Sequence, residues 1–179
     1  MAGQRLTDKS ALSNHTGTGD LYMVVDVSDT TGSSAGTSKK IDSKFVIQTE
    51  KISVSASATQ SLSTSPVTLV SAPGSGYAVI PLNFTLFNTY SSGPETSKIA
   101  LLFGHTGTSS STLCCSYLVN YMKGVTTNAT YVISNIASTE MTTKTTSIDD
   151  TPLYVSSTAN FAGGFSIDIY VTYQIIKLT

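Results

Sequence analysis

The stretch from Phe165 to Lys177 (FSIDIYVTYQIIK) constrains the fold more than any other part of the chain. Phe165, Ile167, Ile169, Val171, Tyr173 and Ile175 alternate with Ser166, Asp168, Tyr170, Thr172 and Gln174. Strict alternation separates two faces only on a strand, where successive side chains point to opposite sides. The apolar face calls for a core. The other face is polar but almost uncharged, whereas the outward face of a lone subunit normally carries Lys and Glu. Tyr170, Thr172 and Gln174 are therefore expected to be covered in part, as at a symmetric subunit interface.

The chain upstream repeats the strand theme in shorter pieces. Pro66–Val70, Tyr77–Phe87, Lys98–Phe103, Leu113–Met122, Thr130–Ile136 and Pro152–Val155 each read as a strand. Pro- and Gly-rich turns separate them, as at Ser71–Gly76 and Ser91–Pro94. Pro81 lies inside a strand pattern and removes a ladder donor, so that strand should carry an edge, bulge or bend there. Charged residues make up only 12% of the 179 residues while hydrophobics hold 40%, so the chain can bury a core. Ser and Thr, roughly three residues in ten, fill the gap and favour strands. The expectation is an all-β fold, a jelly-roll-like β-sandwich.

The N-terminal part is different. Asp20–Ile41 (DLYMVVDVSDTTGSSAGTSKKI) holds an apolar run, an acidic turn, a Ser/Gly/Thr loop and a Lys-Lys-Ile exit. Two short strands around a long loop fit this text. Such a segment has too little apolar area to fold alone. It is therefore expected to attach to a partner, with Leu21, Tyr22, Val24, Asp26, Asp29, Lys39, Lys40 and Ile41 as the attachment residues. Lys39 and Lys40 either meet an acidic patch or are solvated at a strand start. The period-two text of Thr49–Ser61 is a strand or an extended linker. The expected organisation is an attachment module over 1–48, a linker or first strand over 49–61, and a β-sandwich head domain over 62–179.

Nothing in the sequence assembles a catalytic or metal site, and neither an enzyme activity nor a cofactor is expected. His15 and His105 lack a nucleophile and carboxylate in sequence reach, and His105 reads as an exposed loop histidine. Asp26, Asp29 and the Asp149-Asp150 pair are too few for a calcium loop and read as turn formers. A glycosidase would need paired carboxylates, for which Asp168 with Glu95 or Glu140 are the available groups. Gly17–Gly19 and Gly104–Gly107 lack a phosphate-loop Lys-Ser/Thr. Tyr90, His105 and Tyr131 are candidates for a distal surface that binds a glycan or protein, through rigid aromatic contact. Cys114 and Cys115 are adjacent, with Cα atoms about 3.8 Å apart, which is too close for an ordinary bridge. Asn14, Asn83 and Asn128 head chance sequons. A net charge of -1 with one basic doublet argues against nucleic acid. The first residues lack the apolar core of a signal peptide, and no run is long enough for a membrane span, so no membrane insertion is expected.

Two parts of the sequence resemble a known group. Gly19–Ile41, with its Val-Asp-Val-Ser-Asp turn and Gly-Thr-Ser-Lys-Lys-Ile exit, is similar to N-terminal segments of tailed-bacteriophage fibre and virion appendage proteins. Ser65–Gly76, Thr151–Val155 and Gly163–Ile175 resemble phage structural proteins with a trimeric jelly-roll-like domain. The resemblance implies a head-fibre, decoration or short tail-fibre type of protein, crAss-like phages included. It implies a homotrimer that docks on the major capsid protein or another virion protein and projects its head outward, where it could adhere to a host-surface glycan. It also implies assembly in the bacterial cytoplasm and residence in the virion. A tail fibre or a receptor-binding module is the alternative. The chain is short for a tail fibre, which favours a head fibre or decoration protein.

Overall fold

The computed structural model describes residues 21–32, 34–42, 45–105, 113–134 and 148–178, with the backbone alone for 21–22, 113–118 and 134. The chain divides into two compact units, Met1–Val46 and Ile47–Thr179. In the first, β1 (Leu21–Asp26) and β2 (Thr37–Asp42) form an antiparallel hairpin, with Leu21 opposite Asp42 and Asp26 opposite Thr37. The apolar run is β1 and the Lys-Lys-Ile exit lies in β2. Gly36 turns the chain into β2 at φ +111°, where a Cβ would lie 2.7 Å from the carbonyl oxygen of Asp26. Only glycine takes that conformation and that approach without strain.

Among its described residues the second unit contains eight strands and one helical turn. They are β3 (Gln48–Val54), α1 (Ala56–Thr59), β4 (Val67–Val70), β5 (Tyr77–Ser92) and β6 (Leu101–Gly104). Then follow β7 (Leu113–Leu118), β8 (Ala129–Ser134), β9 (Leu153–Ser157) and β10 (Gly164–Lys177). One sheet has the order β3-β10-β5-β8 and the other β4-β9-β6-β7, all pairings antiparallel. The pairings nest: β3 with β10, β4 with β9, β5 with β8, and β6 with β7. The strands of this unit are thus paired as one antiparallel ribbon folded over into two sheets.

The core lies between those sheets. Val54, Phe84, Leu86, Ile167, Ile169 and Val171 come from the first, and Leu69, Leu101, Phe103, Leu153 and Val155 from the second. The alternation of β10 is kept in full: Phe165, Ile167, Ile169, Val171, Tyr173 and Ile175 are all buried. Burial of each large apolar side chain contributes about 1.5–3 kcal/mol, so the inner face of β10 anchors the sandwich. Pro81 sits at the expected irregularity. Thr172 pairs with Asn83 and Tyr173 with Pro81, which skips Leu82 and makes a bulge. Among the described residues β8 pairs with Asn83–Asn88.

Other expectations change. The alternation at Thr49–Ser61 is strand only to Val54. Ser55 then caps α1, its hydroxyl accepting the N–H of Ala58 at 3.2 Å. The strand expected over Leu113–Met122 stops at Leu118, because Asn120 and Met122 take positive φ and the Tyr121 N–H turns to the Ile99 carbonyl, 2.8 Å away. The same contact delays β6, which starts at Leu101 rather than Lys98. The helical turn expected at Ser10–Leu12 and the loops expected at Thr106–Ser111 and Ser138–Ser147 lie outside the described residues, as do Asn14, His15 and Gly17–Gly19.

Candidate functional site

The first candidate surface is the hairpin. Its loop is held by its own short polar side chains. Asp26 accepts the Ser28 N–H (3.0 Å) and hydroxyl (2.6 Å), and Asp29 accepts the same pair from Thr31 at the same distances. The Thr37 hydroxyl donates to the Asp29 carbonyl at 2.7 Å and accepts the Gly32 N–H at 3.1 Å. Lys39 donates to the Asp29 carboxylate. That ammonium, with the Thr31 donors, holds the Asp29 carboxyl at about 2. Lys39 is thus tied to its own loop while its side chain stays partly exposed. Asp26 is held low chiefly by the Ser28 hydroxyl.

Beside exposed Ser38, Lys39 and Lys40, the hairpin leaves apolar side chains open. Met23 is 66% exposed and Val27 75%, with Val24 and Val25 exposed as well. Met23 pairs across from Lys40 and Val24 from Lys39. Ile41 is half-buried opposite Tyr22, and Leu21 lies opposite Asp42. A two-stranded hairpin of this length is marginal by itself, and here its apolar strand is open to water.

The second surface is the outer face of β3-β10-β5-β8. Register builds it row by row. Asp168 lies between Ser53 and Phe87, Tyr170 between Lys51 and Thr85, and Thr172 between Thr49 and Asn83. Gln174 lies beside Ile80, and the next strand adds Thr130 and Val132. Lys51 Nζ bonds Asp168 Oδ2 at 2.7 Å and stands 5.8 Å from the Tyr170 ring centre. The Ser53 hydroxyl reaches Asp168 Oδ1 at 2.5 Å. Lys51 and then Ser53 draw the Asp168 carboxyl below its ordinary value, and Asp168 raises Lys51 in return. The two charges neutralise each other on the face. Phe87, 45% exposed, meets Tyr170 edge-on at 5.6 Å, and Val132 is 72% exposed. The Thr49 and Thr172 hydroxyls bond at 3.0 Å. Tyr170, Thr172 and Gln174 are each half-buried. Sequence reading found these three from alternation in β10 but missed Lys51, Phe87 and Val132. Their place depends on register between strands far apart in the chain.

The expected distal trio does not form one surface. His105 is 6% exposed, not on an exposed loop; its Nδ1 faces the Thr151 hydroxyl at 3.1 Å and the Pro152 carbonyl at 3.3 Å. Burial pushes its pKa below the ordinary histidine value, against the opposing pull of the Pro152 and Thr151 backbone. Tyr131 is half-buried and packs on Tyr121, ring centres 5.2 Å apart, with its hydroxyl towards Met122 Sδ. Tyr90 lies near the end of β5, opposite Phe165, and its N–H bonds Asn128 Oδ1 at 3.0 Å. His105 follows the far end of β6. The carboxylates considered for hydrolysis are also separately engaged. Asp168 serves the outer face, Glu95 is buried among backbone N–H groups, and Glu140 lies outside the described residues. Asp149 and Asp150 close a turn, accepting the N–H groups of Gly76 (2.7 Å) and Gly74 (2.8 Å). Among the described residues no helix is long and apolar enough to cross a membrane.

No protein-family model matches this chain, and no curated protein matches it. Among solved structures, it is similar to a chain of the cyanophage Pam1 capsid asymmetric unit, at 15% identity and a TM-score of 0.37, over 99% of both chains. A likeness of that degree leaves the function to be argued from the residues.

Proposed function

We propose that this chain is a phage virion structural protein, a head fibre or decoration protein. Its N-terminal hairpin docks on the capsid or another virion protein, and its β-sandwich projects outward as a homotrimer. The observation that carries the reading is the hairpin, a preformed two-stranded unit whose apolar strand is open to solvent. A loop fixed by four Asp–Ser and Asp–Thr hydrogen bonds spends little further conformational entropy on docking. Exposed apolar surface of this kind marks an interaction site.

Two further features support the reading. The neutralised outer face of β10, with Phe87 and Val132 exposed, suits contact between copies. We also read the nested strand pairing as the winding of an eight-stranded jelly roll. The sequence resemblance to phage appendage proteins points the same way.

The test is particle incorporation. Protein lacking residues 1–46 should fold, as judged by β-type circular dichroism, yet fail to join virions. Light scattering of the intact chain should give three times the monomer mass. Incorporation of the truncated protein would overturn the docking role, and a monomer at micromolar concentration would overturn the trimer.

A further inference from the structure

Four connections meet at one end of the sandwich, and one buried carboxylate sits among them. Glu95, on the β5–β6 connection, is 1% exposed. Its Oε1 accepts the Ser97 N–H at 2.7 Å. Its Oε2 accepts the N–H groups of Ala162 (2.7 Å) and Gly163 (3.1 Å) on the β9–β10 connection. Its main chain forms a bridge with Lys123 on the β7–β8 connection, where the Gly124 N–H reaches the Glu95 carbonyl at 2.8 Å. The β3–β4 connection joins through Ser63, whose N–H and hydroxyl both bond Asn160 Oδ1, at 3.1 and 2.6 Å. The approach is close: a Cβ on Gly163 would lie 2.8 Å from the Glu95 nitrogen.

A buried carboxylate facing only N–H donors is matched in its charged state alone. Once protonated, one oxygen must donate, and it would point a proton at a proton. We propose that Glu95 is an acid-released latch: taking up a proton frees the β5–β6 and β9–β10 connections from each other and opens this end while the sheets stay paired.

The surrounding charges leave the carboxylate in control. Lys98 on its own connection and Lys123 on the β7–β8 connection are both exposed. The β9–β10 connection carries no titratable side chain between Ser157 and Gly164, and neither does the β3–β4 connection between Val54 and Val67. Tyr121 points its hydroxyl at Asn88. Burial raises the Glu95 carboxyl, and the N–H groups of Ser97, Gly163 and Ala162 reverse that, leaving it below its ordinary value. The latch therefore holds at neutral pH and releases on the acid side of the usual carboxylate range.

Hydrogen exchange of the full chain, compared with intrinsic rates at each pH, tests this. Protection of the Ser97, Gly124, Ala162 and Gly163 amides should fall at least about tenfold through the carboxylate range. Protection at Ile169 and Val171 of β10 should hold. Glu95→Gln places a donor against those N–H groups, so it should show the low protection already at neutral pH and lose the pH response. Asp168→Asn, which removes an exposed carboxylate, should leave the response intact. Loop and β10 protection falling together, or a Glu95→Gln chain with the wild-type response, would overturn the latch. Should Glu95→Gln fail to fold, the wild-type profile beside Asp168→Asn decides alone.

Discussion

Phe84 of β5 stacks on Phe103 of β6, ring centres 4.2 Å apart and planes inclined by 29°. Each ring belongs to a different sheet, and both are fully buried. Phe103→Ala should therefore cost about 3–5 kcal/mol, read as a lower urea midpoint at unchanged slope. Phe103→Leu should cost clearly less, because it keeps most of the volume.

Gly163→Ala should destabilise the second unit by about 1–3 kcal/mol. The added methyl meets the Glu95 main chain, which cannot swing aside as a side-chain tip can. Gly76→Ala is the comparison. Nothing lies within 4 Å of its Cβ position, so only its φ of +83° opposes the change. Thermal melts of the two variants separate contact from backbone strain, with the first melting lower.

The Asp29–Lys39 pair makes the hairpin loop acid-sensitive. Its carboxyl falls from 3.8 to about 2, so its contribution is present above the unfolded value and is lost as pH falls through about 2. Amide shifts of Thr31 should follow that titration. Asp29→Asn should remove it, and added salt should weaken it because the pair is exposed.

His105 gives the opposite kind of residue the same direction. Burial lowers its folded pKa from 6.5, so the unfolded chain takes up the proton first. Its contribution is full above 6.5 and declines as pH falls towards the folded value. Unfolding midpoints of the wild type should fall over that window, and His105→Phe should flatten the dependence.

The inner face of β10 and the bulge at Pro81 were legible because both are written in adjacent residues. Period-two alternation and a missing N–H need no knowledge of partners. Glu95 and His105 were not legible for the converse reason. Glu95 reads as one acid in a polar turn until Ala162 and Gly163 are brought to it from 67 and 68 positions away. His105 reads as a loop residue until Thr151 and Pro152 cover it. Lys39 needed a shorter reach, ten positions back to Asp29, yet across a loop whose course sequence does not state. Of the two surfaces, the apolar text of β1 and the uncharged text of β10 were visible, and the neighbouring rows were not.

The nested pairing also sets an order in time. Ser53 and Asp168 are 115 positions apart, and β10 lies between β3 and β5 in its sheet. While the chain leaves the ribosome, β3 and β5 emerge early and wait for the strand that joins them. Until β10 is made, that sheet has only its β5–β8 ladder, and the inner face of the β4-β9-β6-β7 sheet is covered only in part. Folding of this unit is thus a late, long-loop closure, slow by topology. A nascent chain stalled before Gly164 would expose strand edges to its neighbours on the same messenger.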